Sequence, residues 1–154
     1  MPVNSNRAIE SARGELVKIL YMDDYFTDKN SLQIIVNAFT PSTKWLVTGC
    51  LHNDGYEEKN PHEPYYSPDI FKGKNTIGSP SVLTMRKESA IYFDPKLSFM
   101  LDCDLYKRLH KLYGEPTIVR TPNVVIGIHE GQTSHLMPAY DKQWEIDYTI
   151  KKHT

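Results

Sequence analysis

The spacing of apolar and polar residues along the first third of the chain predicts short helices and strands that follow one another closely. Apolar residues spaced three or four apart indicate amphipathic helices, and short apolar runs indicate buried strands. The predicted elements are a helix over 4–13 that Gly14 ends, a strand over 15–21, a helix over 32–39 and a strand over 44–51. This order is typical of an α/β fold with helices flanking a sheet.

Residues 52–76 break this pattern, because prolines, glycines and tyrosines occur there without a helical or strand period. We expect a long loop with room for a short hairpin, serving either as a binding segment or as a plain surface excursion. The regular pattern then resumes with a turn and strand over 77–87, a helix over 102–113, one or two strands in 117–128 and a last helix over 138–152. In the helix over 102–113, we expect Leu105, Leu109 and Leu112 to face the core.

Composition limits the class of protein. The 154 residues carry a formal net charge of −1, and 40% of them are apolar, which predicts one globular domain over 1–154. The sequence has no dense run of Lys or Arg, so nucleic-acid binding is not predicted. No apolar run is long enough to span a membrane, and the N-terminus has no apolar segment of a signal peptide. We therefore expect a cytoplasmic protein. Cys50 and Cys103 are far apart and predict two unpaired thiols.

Two acidic clusters are the strongest candidates for chemistry. Asp23 and Asp24 follow the apolar run that ends at Leu20, where an open α/β sheet would place a ligand. Their hard oxygens suit Mg²⁺ or Mn²⁺, which typically also bind substrate phosphates. Asp102 and Asp104 begin a predicted helix, where either one could cap the helix or act as a general base. Spacing alone does not choose between them.

His129 follows a predicted strand of Val and Ile and precedes a polar turn containing glycine. A histidine in this position could bind a metal or a phosphate, or it could be an ordinary exposed residue at a strand end. The sequence has no nucleophile elbow around Ser79 or Ser81, no Walker loop and no dinucleotide fingerprint.

Taken together, these motifs resemble glycosyltransferase family 2, whose members have the GT-A fold. The stretch from Asn6 to Glu15 is similar to the helix before that family's metal-binding strand, and Asp23-Asp24 matches the acidic end of its metal motif. The segments from Gly78 to Lys87 and from Phe93 to Leu109 are similar to its acceptor-side and catalytic motifs. Two positions depart from the family pattern: Tyr21 replaces an aspartate and Leu101 a glutamate.

The resemblance implies an α/β fold with a partial GT-A-like (Rossmann-like) mixed sheet. It also implies a metal-dependent inverting transfer of a sugar from a nucleotide-sugar donor to a hydroxyl of a carbohydrate or glycan acceptor. Asp102 would then be the catalytic base, and Asp24 the more direct metal ligand. The resemblance also implies Asp23 and His129 as metal ligands and Gly78, Ser79, Pro80 and Asp104 as substrate residues. Separately, we expect Tyr65 and Tyr66 of the long loop to stack on the acceptor sugar.

Family members normally have a further nucleotide-binding segment ahead of the position of Asn6. The chain is therefore expected to match the C-terminal two-thirds of a GT-A domain and to leave a sheet edge open, which a second copy or a partner chain would cover. Two other functions stay open at this point. One is a non-catalytic remnant that binds sugar or a protein, and the other is a metal-dependent phosphohydrolase.

Overall fold

The computed structural model describes residues 2–154, and they form a mixed sheet flanked by helices. Each predicted helix is present, and most of the predicted strands lie within a few residues of their expected bounds. The helices are α1 (Pro2–Ser11), α2 (Ser31–Ala38), α3 (Leu101–Tyr113), the single turn α4 (Thr133–Leu136) and α5 (Ala139–His153). The strands are β1 (Leu16–Lys18), β2 (Tyr25–Phe26), β3 (Trp45–Asn53), β4 (Glu58–His62), β5 (Leu83–Arg86) and β6 (Thr117–Gly127).

The strands form one sheet in the order β1-β5-β3-β6-β2, and β4 makes a hairpin with β3. β3 and β6 run parallel, and the other pairings are antiparallel. This arrangement confirms the predicted mixed α/β class. Among residues 2–154, no helix is long and apolar enough to cross a bilayer.

The core lies between the sheet and helices α1 and α3. Leu105, Tyr106 and Leu109 of α3 are fully buried, as are Val47 of β3 and Leu83 of β5. The burial of Leu105 and Leu109 follows the four-residue period of the helix. Together with the buried strand residues they supply apolar driving force for folding. α3 is therefore held rigidly against the sheet, which matters because its first turn carries Asp102.

The parallel pair of β3 and β6 is bent where Gly49 meets β6. The register shifts on both sides of Gly49. A Cβ atom there would lie well inside van der Waals contact with the carbonyl oxygen of Arg120. Glycine is thus required by the close approach of the two backbones. The bend lies within β6, whose last residue, Gly127, contacts the acidic turn described below.

Two expectations about the elements were wrong, and one short strand was not predicted. The apolar run before Asp23 is not a long buried strand: β1 ends at Lys18, and Leu20 is 38% exposed, because β1 is an edge strand paired only with β5. The two-residue strand β2 was not predicted, since two residues carry no period. Leu112 is 59% exposed because the last turn of α3 extends beyond the packed layer.

Candidate functional site

A cleft of about 1150 Å³ brings the two acidic clusters together. Its walls come from α1, from the segment 16–24 and from the segments 98–103 and 126–134. Asp23, Asp24, Asp102 and His129 all line it. The volume is slightly above the usual range of about 300–1,000 Å³ for small-molecule sites. Residues separated by about a hundred positions in the sequence therefore meet in one cavity.

Asp24 is the buried member of the first acidic pair, with 8% of its surface exposed. Its Oδ1 accepts a hydrogen bond of 3.0 Å from the backbone N–H of Gly127. Burial raises the pKa of Asp24, while hydrogen bonds from Ser81, Gly127 and Ser79 favour the charged form. Its acceptor capacity is thus largely used within the protein, which suits a residue that anchors the turn.

Asp23 faces the opening and contacts His129. The Asp23 Oδ2 and His129 Nε2 atoms are 3.1 Å apart, and 33% and 51% of the two side chains are exposed. Two neighbouring ligands of an octahedral ion with bonds of about 2.1 Å are separated by about 3.0 Å. The pair therefore has the spacing of two ligands as well as that of a hydrogen bond.

No group of three His, Cys, Asp or Glu residues in 2–154 could hold a metal ion. An ion at this site would therefore take two side chains from the chain, Asp23 and His129. Mg²⁺ commonly binds through one or two carboxylates and completes its shell with water and substrate phosphate. The Asp23 carboxylate fits that mode, whereas an imidazole such as His129 is a more usual ligand of transition metals. The greater exposure of Asp23 favours it over the buried Asp24 as the open ligand.

Asp102 lies in the first turn of α3 and faces the same cleft. Its Oδ1 accepts a hydrogen bond from the backbone N–H of Cys103 (2.7 Å), and its Oδ2 accepts one from Asn75 Nδ2 (2.8 Å). Burial raises the pKa of Asp102 to about 6, against the effect of these hydrogen bonds. A carboxylate that is oriented in this way and has a raised pKa is suited to accept a proton.

Asp104 does not line the cleft, although the resemblance implied a substrate role for it. It is fully buried on the opposite side of α3 and pairs with Arg108 Nε, Lys152 Nζ and His153 Nε2, each at 2.8 Å. Burial alone would raise its pKa, but the bond from His153 and the charges of Arg108 and Lys152 lower it to about 2. The side chain therefore joins α3 to α5, and the structure places Asp102 in the cleft and Asp104 away from it.

The remaining residues implied for substrate divide into two groups. Ser79 and Pro80 line the cleft, and the carbonyl oxygen of Gly78 accepts hydrogen bonds from Asn75 Nδ2 (2.9 Å) and the Tyr106 hydroxyl (3.1 Å). Tyr65 and Tyr66 lie outside the cleft lining. The ring of Tyr66 stacks on His110 at 3.7 Å, so this tyrosine packs against α3 instead of facing a ligand.

Lys18 and Tyr21 also line the cleft, and neither was predicted from the sequence. Lys18 donates hydrogen bonds to the carbonyl oxygens of Ser81 and Leu83. Burial lowers the pKa of Lys18 to about 7, against the attraction of Asp24. Lys18 stands in an apolar run, where its sequence context gives no sign of a site residue.

Tyr21 lines the cleft beside its acidic groups, and its hydroxyl is 3.4 Å from the Ser5 hydroxyl. Burial raises the pKa of Tyr21, the hydrogen bond with Ser5 opposes this, and the charges of Asp102, Asp24 and Asp23 raise it further. Because Tyr21 stands where the resembling family often has an aspartate, the site carries an aromatic ring and one negative charge fewer than an aspartate would give it.

Comparisons with known proteins support the resemblance. No protein-family model matches the chain. WcaA of Escherichia coli (strain K12), a protein assigned as a glycosyl transferase of colanic acid biosynthesis, is 24% identical over 134 residues. That match covers 82% of this chain and 48% of WcaA, so the chain spans about half the length of the curated relative.

The fold is similar to solved structures of TarS from S. aureus. TarS residues 1–349 in complex with UDP-GlcNAc match with a TM-score of 0.64 and 17% identity over 96% of this chain and 45% of that one. TarS 1–349 without that ligand matches with a TM-score of 0.55 and 17% identity over 82% and 40%. The expected resemblance is thus confirmed: the chain is similar in sequence to a glycosyl transferase, and it has the mixed α/β fold of GT-A-type glycosyltransferases over part of their length.

Proposed function

We propose that this chain forms the catalytic side of a metal-dependent, inverting glycosyltransferase that uses a nucleotide sugar. The observation that carries the proposal is the meeting of Asp102 with the Asp23–His129 pair in one cleft. A base and a metal–diphosphate site are the two parts that such a transfer needs. The binding of UDP-GlcNAc by TarS makes a UDP-sugar the first donor to test.

In the proposed reaction, Asp102 accepts the proton of an acceptor hydroxyl. The hydroxyl oxygen forms a bond to the anomeric carbon as the bond from that carbon to the diphosphate oxygen breaks. The configuration inverts, because the attacking and leaving oxygens lie on opposite sides of the carbon. The nucleoside diphosphate leaves with the electron pair, and Asp102 ends protonated.

The other cleft residues would hold the reactants. Asp23 and His129 would bind Mn²⁺ or Mg²⁺, which when present supplies positive charge to the leaving diphosphate. Asn75 fixes the orientation of the Asp102 carboxylate through its 2.8 Å hydrogen bond. Asp24 holds the acidic turn against Gly127.

A second candidate is a module that binds sugar or a protein partner without catalysis. The specific observation that favours it is that Tyr21 stands where the resembling family often has an aspartate, which leaves one carboxylate fewer to bind a metal. A partner chain, or a second copy at an edge strand such as β1, belongs to the same set of proposals.

A thermal-shift screen with UDP-, GDP- and CMP-sugars, with and without Mn²⁺, tests the proposed function. A ligand at about 100 times its Kd stabilises the folded form by about 2.7 kcal/mol, which corresponds to a rise in Tm of about 5–10 °C for a chain of this size. We expect the rise for one nucleotide class and only with metal. Asp23→Asn should remove it.

The matched control is Asp69→Asn, an exposed aspartate outside the cleft that pairs with Lys72 at 3.0 Å. This variant should keep the full rise in Tm. Folded wild-type protein that shows no rise with any donor would contradict the transferase proposal. A rise with free sugars alone, independent of metal, would support the non-catalytic module.

A further inference from the structure

We propose that Glu145 is a positioning residue for Asp102: its buried carboxylate holds the start of α3 and thereby fixes the base in the cleft. This inference rests on the proposed function, because it assigns a role within the same site. Glu145 lies on α5, whose described residues do not line the cleft. It would act through the backbone of residues 98–100 and without touching a substrate.

The contacts of Glu145 are concentrated on one stretch of backbone. Its Oε2 accepts hydrogen bonds from the N–H groups of Phe99 and Met100, both at 2.8 Å, and its Oε1 accepts one of 2.9 Å from Ser98. Only 4% of Glu145 is exposed. A carboxylate so enclosed is stable only where donors replace its lost water, and here the donors are the three consecutive N–H groups.

These three N–H groups stand just ahead of the helix that carries the base. The first N–H groups of a helix have no partner inside it, and an Asp, Ser, Thr or Asn at the N-cap usually supplies one. Met100 is the N-cap of α3 and makes no such side-chain bond. Glu145 therefore holds, from another helix, the backbone that leads into α3 as far as its N-cap residue Met100, and it adds a buried negative charge close to the N-terminus of that helix.

The same helix also supports the other side of Asp102. The Thr149 hydroxyl donates a 2.8 Å hydrogen bond to the carbonyl oxygen of Phe71. The Ile146 side chain leaves so little room at Gly73 that a Cβ there would lie 3.2 Å from its Cδ1. Asn75, which donates a hydrogen bond to Asp102, follows two residues after Gly73. α5 thus contacts both segments that orient the Asp102 carboxylate: Glu145 binds the backbone of residues 98–100, and Thr149 binds the segment that leads to Asn75.

Glu145→Gln tests the inference with little change of volume. Glutamine has one acceptor oxygen and an NH₂ group that would face N–H donors, so the segment 98–100 should move. A displacement of about 1 Å at a catalytic group can cost about 100-fold in rate. We expect kcat to fall by about that factor while KM for the donor stays within about twofold, since Asp23 and His129 are untouched.

The control for this experiment is Asp147→Asn, two residues further along α5 and exposed, which should leave both constants unchanged. An unchanged kcat in Glu145→Gln would overturn the inference. An equal loss of kcat, donor binding and Tm would overturn it too, because it indicates a general loss of structure.

If Glu145→Gln does not fold, Glu145→Asp is the second variant, because it retains the charge with a shorter reach. It should show the same fall in kcat with little change in KM. Wild-type values of kcat and KM in Glu145→Asp would overturn the inference.

A ¹³C NMR titration of the Asp102 carboxyl separates this inference from the proposed function, because it needs no activity. In Glu145→Gln the Asp102 pKa should move down from about 6 toward the ordinary range as the first turn of α3 loosens and water reaches the carboxylate. If the wild-type chain transfers no sugar but this shift occurs, the proposed function fails and the positioning role stands. An unchanged titration rejects the positioning role.

Discussion

Asp102→Asn is expected to reduce sugar transfer by about 10²- to 10⁴-fold and to leave donor binding intact. That range is the usual contribution of a positioned general base. Asparagine has nearly the same shape and keeps one acceptor oxygen, which can still accept the hydrogen bond from the N–H of Cys103, but its NH₂ group takes the place of the oxygen that accepts from Asn75, and it cannot take the proton of the acceptor hydroxyl. The measurement is the transfer rate beside the Mn²⁺-dependent rise in Tm with donor. An equal loss of both would contradict the role as base.

The pH profile gives the same assignment without a mutation. Burial raises the pKa of Asp102 to about 6, and only the ionised carboxylate accepts a proton. The rate should therefore rise with pH up to about 6 and then level off. Asp69→Asn, which changes an exposed carboxylate outside the cleft, should retain this profile. A wild-type rate that is flat between pH 5 and pH 7 (about one unit on either side of that pKa) would contradict the assignment.

Gly127→Ala is expected to abolish metal-dependent donor binding. A Cβ atom at Gly127 would lie well inside van der Waals contact with the carbonyl oxygen of Asp23, and the N–H of Gly127 holds Asp24. The turn that carries Asp23 must therefore shift away from β6, and this shift would separate Asp23 from His129. Overpacking of this kind typically costs about 1–3 kcal/mol. The variant should thus remain folded at low temperature while losing the ligand-induced rise in Tm.

Gly14→Ala is the control for this prediction. The nearest atom to a Cβ at Gly14 is the carbonyl oxygen of Leu16 at 3.4 Å, which is an ordinary contact. The control should bind donor like the wild type. Wild-type donor binding by Gly127→Ala would show that the acidic turn does not need its present position, and the proposed metal site would then be wrong.

The fold could be predicted where the pattern was long and regular. α2 and α3 followed from apolar residues at helical spacing, and β3 followed from a continuous apolar run. β1 was overestimated because an apolar run cannot reveal that a strand lies at a sheet edge. β2 was missed because its two residues are defined by pairing with β6 and by nothing local.

The site could be predicted only in part, because its geometry depends on distant residues. Asp23, Asp24, Asp102 and His129 were singled out by position next to predicted elements, and they do meet in one cleft. Asp102 and Asp104 could not be told apart, since the difference is set by Lys152 and His153 at the far end of the chain. The burial that sets the pKa of Lys18 likewise exists only in the folded protein.

The placement of Tyr66 illustrates the opposite case. The sequence suggests two aromatic residues of a proline-rich loop as an acceptor platform, but the ring of Tyr66 stacks on His110, whereas Tyr65 is 52% exposed and lies outside the cleft lining. Aromatic residues near a predicted loop pack against the protein as readily as they face a ligand. Only the tertiary contacts distinguish the two cases.

The most direct test of the central claim is paramagnetic broadening by Mn²⁺ in the NMR spectrum of the ¹⁵N-labelled chain with UDP-GlcNAc. With the ion bound between Asp23 and His129, the amide signals of Asp23, Gly127 and His129 should broaden first and only when nucleotide is present. The Gly114 amide, at the C-terminus of α3, should stay sharp. Broadening that begins elsewhere, or no broadening with donor present, would contradict the claim that this cleft is a metal–diphosphate site.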